Sequence, residues 1–128
     1  MQSIKAALAY WGTVFALGFV LGTVRTLWLA PRIGATGAVL LELPAMLMAS
    51  WLAARMFVRR FGIAGAGQAL GMGALAFALL IASEAALALL LGESLWQWLF
   101  EMATLPGALG LAGQMVFGAM PVVAVRRP

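Results

Sequence analysis

Apolar residues in this chain come in four long runs rather than in the alternating or single-faced patterns of a soluble protein. The runs cover about 6–29, 37–58, 66–91 and 95–120. Between them stand Ala30-Pro31 with Gly34, the basic cluster Arg55, Arg59 and Arg60 with Gly62, Gly65 and Gly67, and Gly92-Glu93-Ser94. Each run is long enough to cross a hydrocarbon core of about 30 Å, which takes roughly 20 apolar residues. Proline cannot continue a helix and biases the residue before it away from helical geometry, so the first helix is expected to stop at Pro31. The pattern predicts an all-α membrane protein, a four-transmembrane-helix bundle running up-down-up-down, with residues 1–128 as a single transmembrane domain. Short connections make neighbouring helices antiparallel.

Composition agrees with that solvent. Hydrophobic residues make up 65% of the 128 positions and charged residues 9%, where a soluble domain carries about 25% charge. The chain has neither cysteine nor histidine, which removes disulfides, thiolate and imidazole metal sites and every histidine acid or base. No nucleophile beside a base, no metal-ligand spacing, no phosphate loop and no cofactor fingerprint is visible, so neither an enzyme nor a bound cofactor or metal is expected. The net charge of +4 does not point to nucleic acid, because the basic residues sit at helix ends instead of forming a patch with interleaved aromatics. Lys5 precedes an uncharged run from Ala6 to Val24. That run is longer than a signal-peptide core, so the first span is expected to be retained.

Charge asymmetry between the two ends gives an orientation. Lys5, Arg55, Arg59, Arg60, Arg126 and Arg127 fall on one side and only Arg25 and Arg32 on the other. Short loops rich in Lys and Arg stay inside, which places both termini in the cytoplasm of a cell (inner) membrane, in a multi-pass arrangement. Trp28, Trp96 and Trp98 then fall at the outer interface and Trp11 and Trp51 nearer the inner one, as belt residues do.

The candidate chemistry lies in the charges inside these runs. Arg25, Glu42, Glu84 and Glu101 come one from each helix, all in the outer half, within about two turns of the outer helix ends. An ionisable side chain inside a span is costly and marks a functional site by default. The faces fit an inward placement. Gly18 and Gly22 share a stripe with Arg25, and Glu42 lines up with Ala45, Ala49, Ala53 and Met56. Glu101 lines up with Thr104, Ala108, Ala112 and Met115, and Glu84 with Gly73, Phe77 and Leu80. Small residues at such spacing let helices approach closely, so Gly18, Gly22, Ala49, Ala53, Ala108 and Ala112 are the expected packing positions. Pro44 and Pro106, each near a glutamate, are expected to kink their helices and to free the carbonyls of Leu40 and Met102.

A weak internal repeat runs alongside. Superimposing LLELPAMLMASWLAARMF on LFEMATLPGALGLAGQMV matches Leu40, Glu42, Ala49, Leu52, Ala53 and Met56 with Leu99, Glu101, Ala108, Leu111, Ala112 and Met115. Abundant Ala and Leu account for part of this. A direct duplication would make the bundle two tandem hairpins about an axis along the membrane normal.

Three carboxylates against one arginine leave surplus negative charge that something must compensate, by protonation or by a bound cation. Arg25 is the natural fixed partner of Glu42, which leaves Glu84 and Glu101 to exchange protons or hold a cation. Two functions follow. The first is a small carrier or channel, oligomeric, that binds or conducts a proton, a cation or a cationic small solute at Arg25, Glu42, Glu84 and Glu101. The second is a non-transporting accessory or assembly subunit of a larger membrane complex, in which the same charges only fix the bundle.

Overall fold

The computed structural model describes residues 2–126, with side chains for all of these except Gln2, Ala35 and Pro106; Met1, Arg127 and Pro128, including the Arg127 part of the basic tail, lie outside the described residues. Helix α1 (Gln2–Val24) passes through a π-helical turn at Arg25–Leu29 into α2 (Ala30–Arg60), which is followed by α3 (Ala66–Leu90), the short α4 (Leu95–Met102) and α5 (Leu105–Arg126). Among the described residues four helical stretches are long and apolar enough to span a membrane: Ser3–Gly34, Thr36–Arg60, Ala66–Leu90 and Gly107–Arg126.

The first span does not stop at Pro31. In the π turn the Ala30 amide bonds the Arg25 carbonyl, one residue further back than in an α-helix, and Pro31 occupies the opening turn of the helix that follows. A π turn widens the helix locally, and a proline in an opening turn lacks only an amide that would be unpaired anyway. The true corner is Gly34, with φ 84° and ψ 161°, a backbone region open to glycine and strained for other residues.

The fourth run also divides. Ser94 and Gln97 form a reciprocal capping box at the start of α4, with bonds of 3.1 and 2.8 Å. The helix ends at Ala103, and the Gly107 amide then reaches the Thr104 hydroxyl at 3.4 Å as α5 begins. Pro106 falls in the first turn of α5 and starts that helix instead of kinking a longer one. In α2 the residue with non-helical angles is Gly34, and Pro44 lies inside the helix that follows. Leu95, Trp96, Leu99 and Phe100 of α4 are all exposed, the composition of a short helix lying in the membrane interface instead of crossing it.

Helix α1 packs against α2 and α3, and α5 packs against α2 and α3, giving the ring order α1, α2, α5, α3. Two antiparallel hairpins therefore lie side by side. Across the first, Gly18 approaches Met46 and Arg25 approaches Glu42; across the second, Gly73 meets Gly118 and Glu84 meets Gln114. A two-fold axis along the membrane normal would set α2 beside α3 and α5 beside α1. The observed neighbours are those of two hairpins stacked in parallel, so the expected duplication symmetry is not seen.

The tightest crossing is between α3 and α5, where a Cβ at Gly73 would overlap the Gly118 carbonyl. Close backbone approach of this kind is how helices gain packing energy where lipid removes the hydrophobic drive. One turn from Gly118, Pro121 is fully buried inside α5. Proline has no amide to give the carbonyl four residues back, here Phe117. The buried Tyr10 hydroxyl of α1 donates to that carbonyl at 2.7 Å, and its ring stacks on Phe117 with centroids 4.2 Å apart. A proline-freed carbonyl is thus bonded across the bundle at Pro121, while Pro44, inside α2, withholds an amide from the Leu40 carbonyl and Pro106 opens α5.

The packing positions change accordingly. Ala53 is buried and Ala49 half-buried, but Ala108 and Ala112 are exposed. Their stripe was traced from Glu101, and the break at Ala103-Thr104 ends the register between the two. The inward face of α5 is Gly113, Phe117, Gly118, Met120, Pro121 and Ala124.

Tyr10→Phe should destabilise the bundle by about 1 kcal/mol, since it orphans a buried carbonyl. In a Pro121→Ala background residue 121 supplies its own amide to Phe117, so the same change should cost clearly less. Unfolding titrations of the four proteins in detergent measure the difference, and equal costs in both backgrounds would contradict the pairing.

Candidate functional site: two polar pairs between the spans

Arg25 opens the π turn, and its side chain folds back along α1. A Cβ added at Gly22 would lie 3.3 Å from Arg25 Nη2, so Gly22 makes room for a guanidinium, whereas Gly18, 3.4 Å from Met46 by the same measure, faces α2. Folding back brings Arg25 Nε to 2.8 Å from Glu42 Oε2, with the two side chains 36% and 15% exposed. That Nε–H nevertheless has no well-aligned hydrogen-bond partner among the described residues. At such a distance this means the N–H is turned off the oxygen axis, and the contact is an attraction between charges with poor hydrogen-bond alignment. It closes the corner made by Gly34 and ties the first span to the second.

The second pair joins α3 to α5. Gln114 Nε2 donates to Glu84 Oε1 at 2.5 Å, and Gln114 Oε1 is buried with no hydrogen-bond partner among the described residues. Gly113, next to Gln114, sits under Leu43, where an added Cβ would come within 2.8 Å of Leu43 Cδ2; Leu43 is next to Glu42. One polar side chain thus comes from each span: Arg25 from the first, Glu42 from α2, Glu84 from α3 and Gln114 from α5.

Gln114 is absent from the sequence-based site, and Glu101 holds its place there. Glu101 belongs to α4 and is exposed, outside the spanning segments. Its partner is Glu93 in the α3–α4 link. The hydrogen bond between the two carboxyls, then partial burial and the charge of Glu93, hold Glu101 above the usual carboxylate range. A signal for Gln114 did exist, since it is the one amide side chain inside the 107–126 run.

Two hollows flank the basic end and do not include these residues. One, of about 300 Å³, is bordered by Arg55, Arg59, Ile63 and Ala124; a more open one adjoins Leu52, Met56 and Arg60. Among the described residues no group of three or more Asp, Glu, Cys or His side chains is placed to hold a metal ion. Trp11 donates its indole N–H to Ser83 Oγ at 3.0 Å and so also tethers α1 to α3. Trp28 and Trp96 are widely exposed, as rings at an interface are.

Comparisons with known protein families, curated proteins and solved structures find no match to this chain. The Glu93–Glu101 pair gives a pH test. The folded protein holds the Glu101 proton more tightly than the unfolded chain, so stability should fall as pH rises from the ordinary carboxylate value through the raised one. Thermal unfolding in detergent at about pH 4 and about pH 7 should show that fall in the native protein and a weaker one in Glu101→Gln, which cannot ionise. Equal pH slopes would contradict the pairing.

Proposed function

We propose that this protein is a small membrane carrier or channel that binds and passes a proton or a small cation at Glu84, with Gln114 as partner and the Arg25–Glu42 pair as fixed counter-charges. The observation that carries this reading is the Glu84–Gln114 contact. Arg25 lies against Glu42, so Glu84 is the carboxylate left over, and what it faces is a neutral amide.

An amide serves both charge states of a carboxyl. The ionised form accepts from Nε2, as in the observed geometry; the protonated form donates to Oε1, the atom that has no other partner among the described residues. A small rotation of Gln114 therefore accompanies uptake or loss of a proton, and the Glu84 carboxyl keeps a partner in both states. A cation would instead replace the proton between Glu84 and Gln114 Oε1.

The reading places the Lys- and Arg-rich end and both termini in the cytoplasm of a cell (inner) membrane, by the excess of basic residues there. It is non-enzymatic, needs no cofactor and has no nucleic-acid partner. Its occupant is a proton or small cationic solute, its surroundings are the lipid bilayer, and its assembly is a homo-oligomer or larger membrane complex, to which the exposed apolar faces of the spans are suited. The second reading, an accessory subunit with structural charges, draws on the Arg25–Glu42 contact, which is placed to pin the first hairpin.

Proteoliposomes carrying an internal pH dye or a cation-sensitive dye separate the two. Under an imposed gradient the native protein should dissipate it, and Glu84→Gln should lose most of that flux while keeping its helical content. No flux from the native protein, together with stable co-purification of other membrane proteins, would replace the carrier reading with the accessory one.

A further inference from the structure

The basic end of the bundle has a shape as well as a charge. Arg55 and Arg59 stand one turn apart near the end of α2, and both line the hollow of about 300 Å³ against Ile63 and Ala64 of the α2–α3 link and Ala124 and Val125 of α5. Its volume is at the small end of the range for ligand pockets, about 300–1,000 Å³. The same two arginines border the neighbouring open hollow with Leu52, Met56 and Arg60. Leu52 and Met56 are 58% and 52% exposed and lead from the arginines back along α2 into the span.

These arginines have no counter-charge among the described residues. The acidic residues are Glu42, Glu84, Glu93 and Glu101, and the ion pair found is Arg25–Glu42. Arg55 is steadied instead by the Trp51 ring, with its guanidinium carbon 5.9 Å from the ring centroid. Proximity to the last carbonyls of α2 accounts for basic residues at a helix C-terminus. It does not account for two of them bordering a concave surface whose floor, Val58, Ile63 and Ala124, is buried and apolar.

We propose that this hollow holds the phosphate of an anionic phospholipid, with Arg55 and Arg59 on the headgroup and the acyl chains lying over Leu52 and Met56. Guanidinium forks match phosphate oxygens in pairs, and basic pockets between spans on the cytoplasmic side suit anionic headgroups. The apolar path away from the arginines favours a lipid over a free anion. The site is separate from Glu84 and stands whether or not the protein transports anything.

Native mass spectrometry of the purified full chain, offered equal amounts of phosphatidylglycerol and phosphatidylcholine, tests this. Phosphatidylglycerol should be retained preferentially. Arg55→Gln with Arg59→Gln should lower that retention roughly tenfold or more, whereas Lys5→Gln with Arg126→Gln, an equal loss of charge elsewhere in the basic set, should leave it nearly unchanged. Ala64→Trp, an exposed position on the hollow, should block retention without altering charge, which keeps the test decisive if the arginine pair is needed for folding. Equal retention of both lipids, or equal losses in the two charge-neutralised proteins, would overturn the proposal. Displacement of the lipid by excess inorganic phosphate would overturn the lipid assignment in favour of a free-anion site.

Discussion

Hydrocarbon offers no hydrogen-bond partners, so every polar group carried into the spans has to find its partner on another part of the chain. The bundle is organised by three such obligations. Pro121 leaves the Phe117 carbonyl without an amide, and Tyr10 reaches across from α1 to bond it. Arg25 folds back over Gly22 to meet Glu42. Glu84 takes an amide proton from Gln114. These contacts link α1 to α5, α1 to α2 and α3 to α5, and the Trp11–Ser83 bond adds α1 to α3. Small residues at Gly73 and Gly118 let the backbones come close enough for the bonds to be made.

The first two obligations are met by groups that stay put. A tyrosine hydroxyl and a main-chain carbonyl do not titrate in any ordinary range, and an arginine keeps its proton. Glu84 differs, because its partner is neutral and can serve either protonation state. This contrast within one bundle, and not the number of charges, is what makes Glu84 the centre of the proposed activity. Glu93 and Glu101, which also sit as a carboxyl pair, lie outside the spans, with Glu101 exposed and Glu93 half-buried.

The four spans were legible in the hydrophobic runs, because length and the absence of charge are strong signals in a bilayer. Their ends were less so. Pro31 reads as a stop, but a π turn carries the helix past it to Gly34. Pro106 reads as a kink within one long helix, yet it opens a second one after α4. That single misplaced boundary moved Glu101 into the membrane and pointed Ala108 and Ala112 inward, because a helical stripe traced across a break carries the wrong rotation. Arg25, Glu42 and Glu84 stood out by charge alone. Gln114 carries no charge and lies in a run that otherwise reads as apolar, so a search for ionisable groups passes over it. Ring order, too, depends on long-range packing, which sequence periodicity does not encode.

The central claim is that Gln114, and not Glu101, faces Glu84 between the spans. The chain contains no cysteine, so pairs of engineered cysteines can be cross-linked in native membranes without background. Glu84→Cys with Gln114→Cys should be joined efficiently by a short bis-methanethiosulfonate reagent, while Glu84→Cys with Glu101→Cys should not. Efficient joining of the second pair and none of the first would contradict the account.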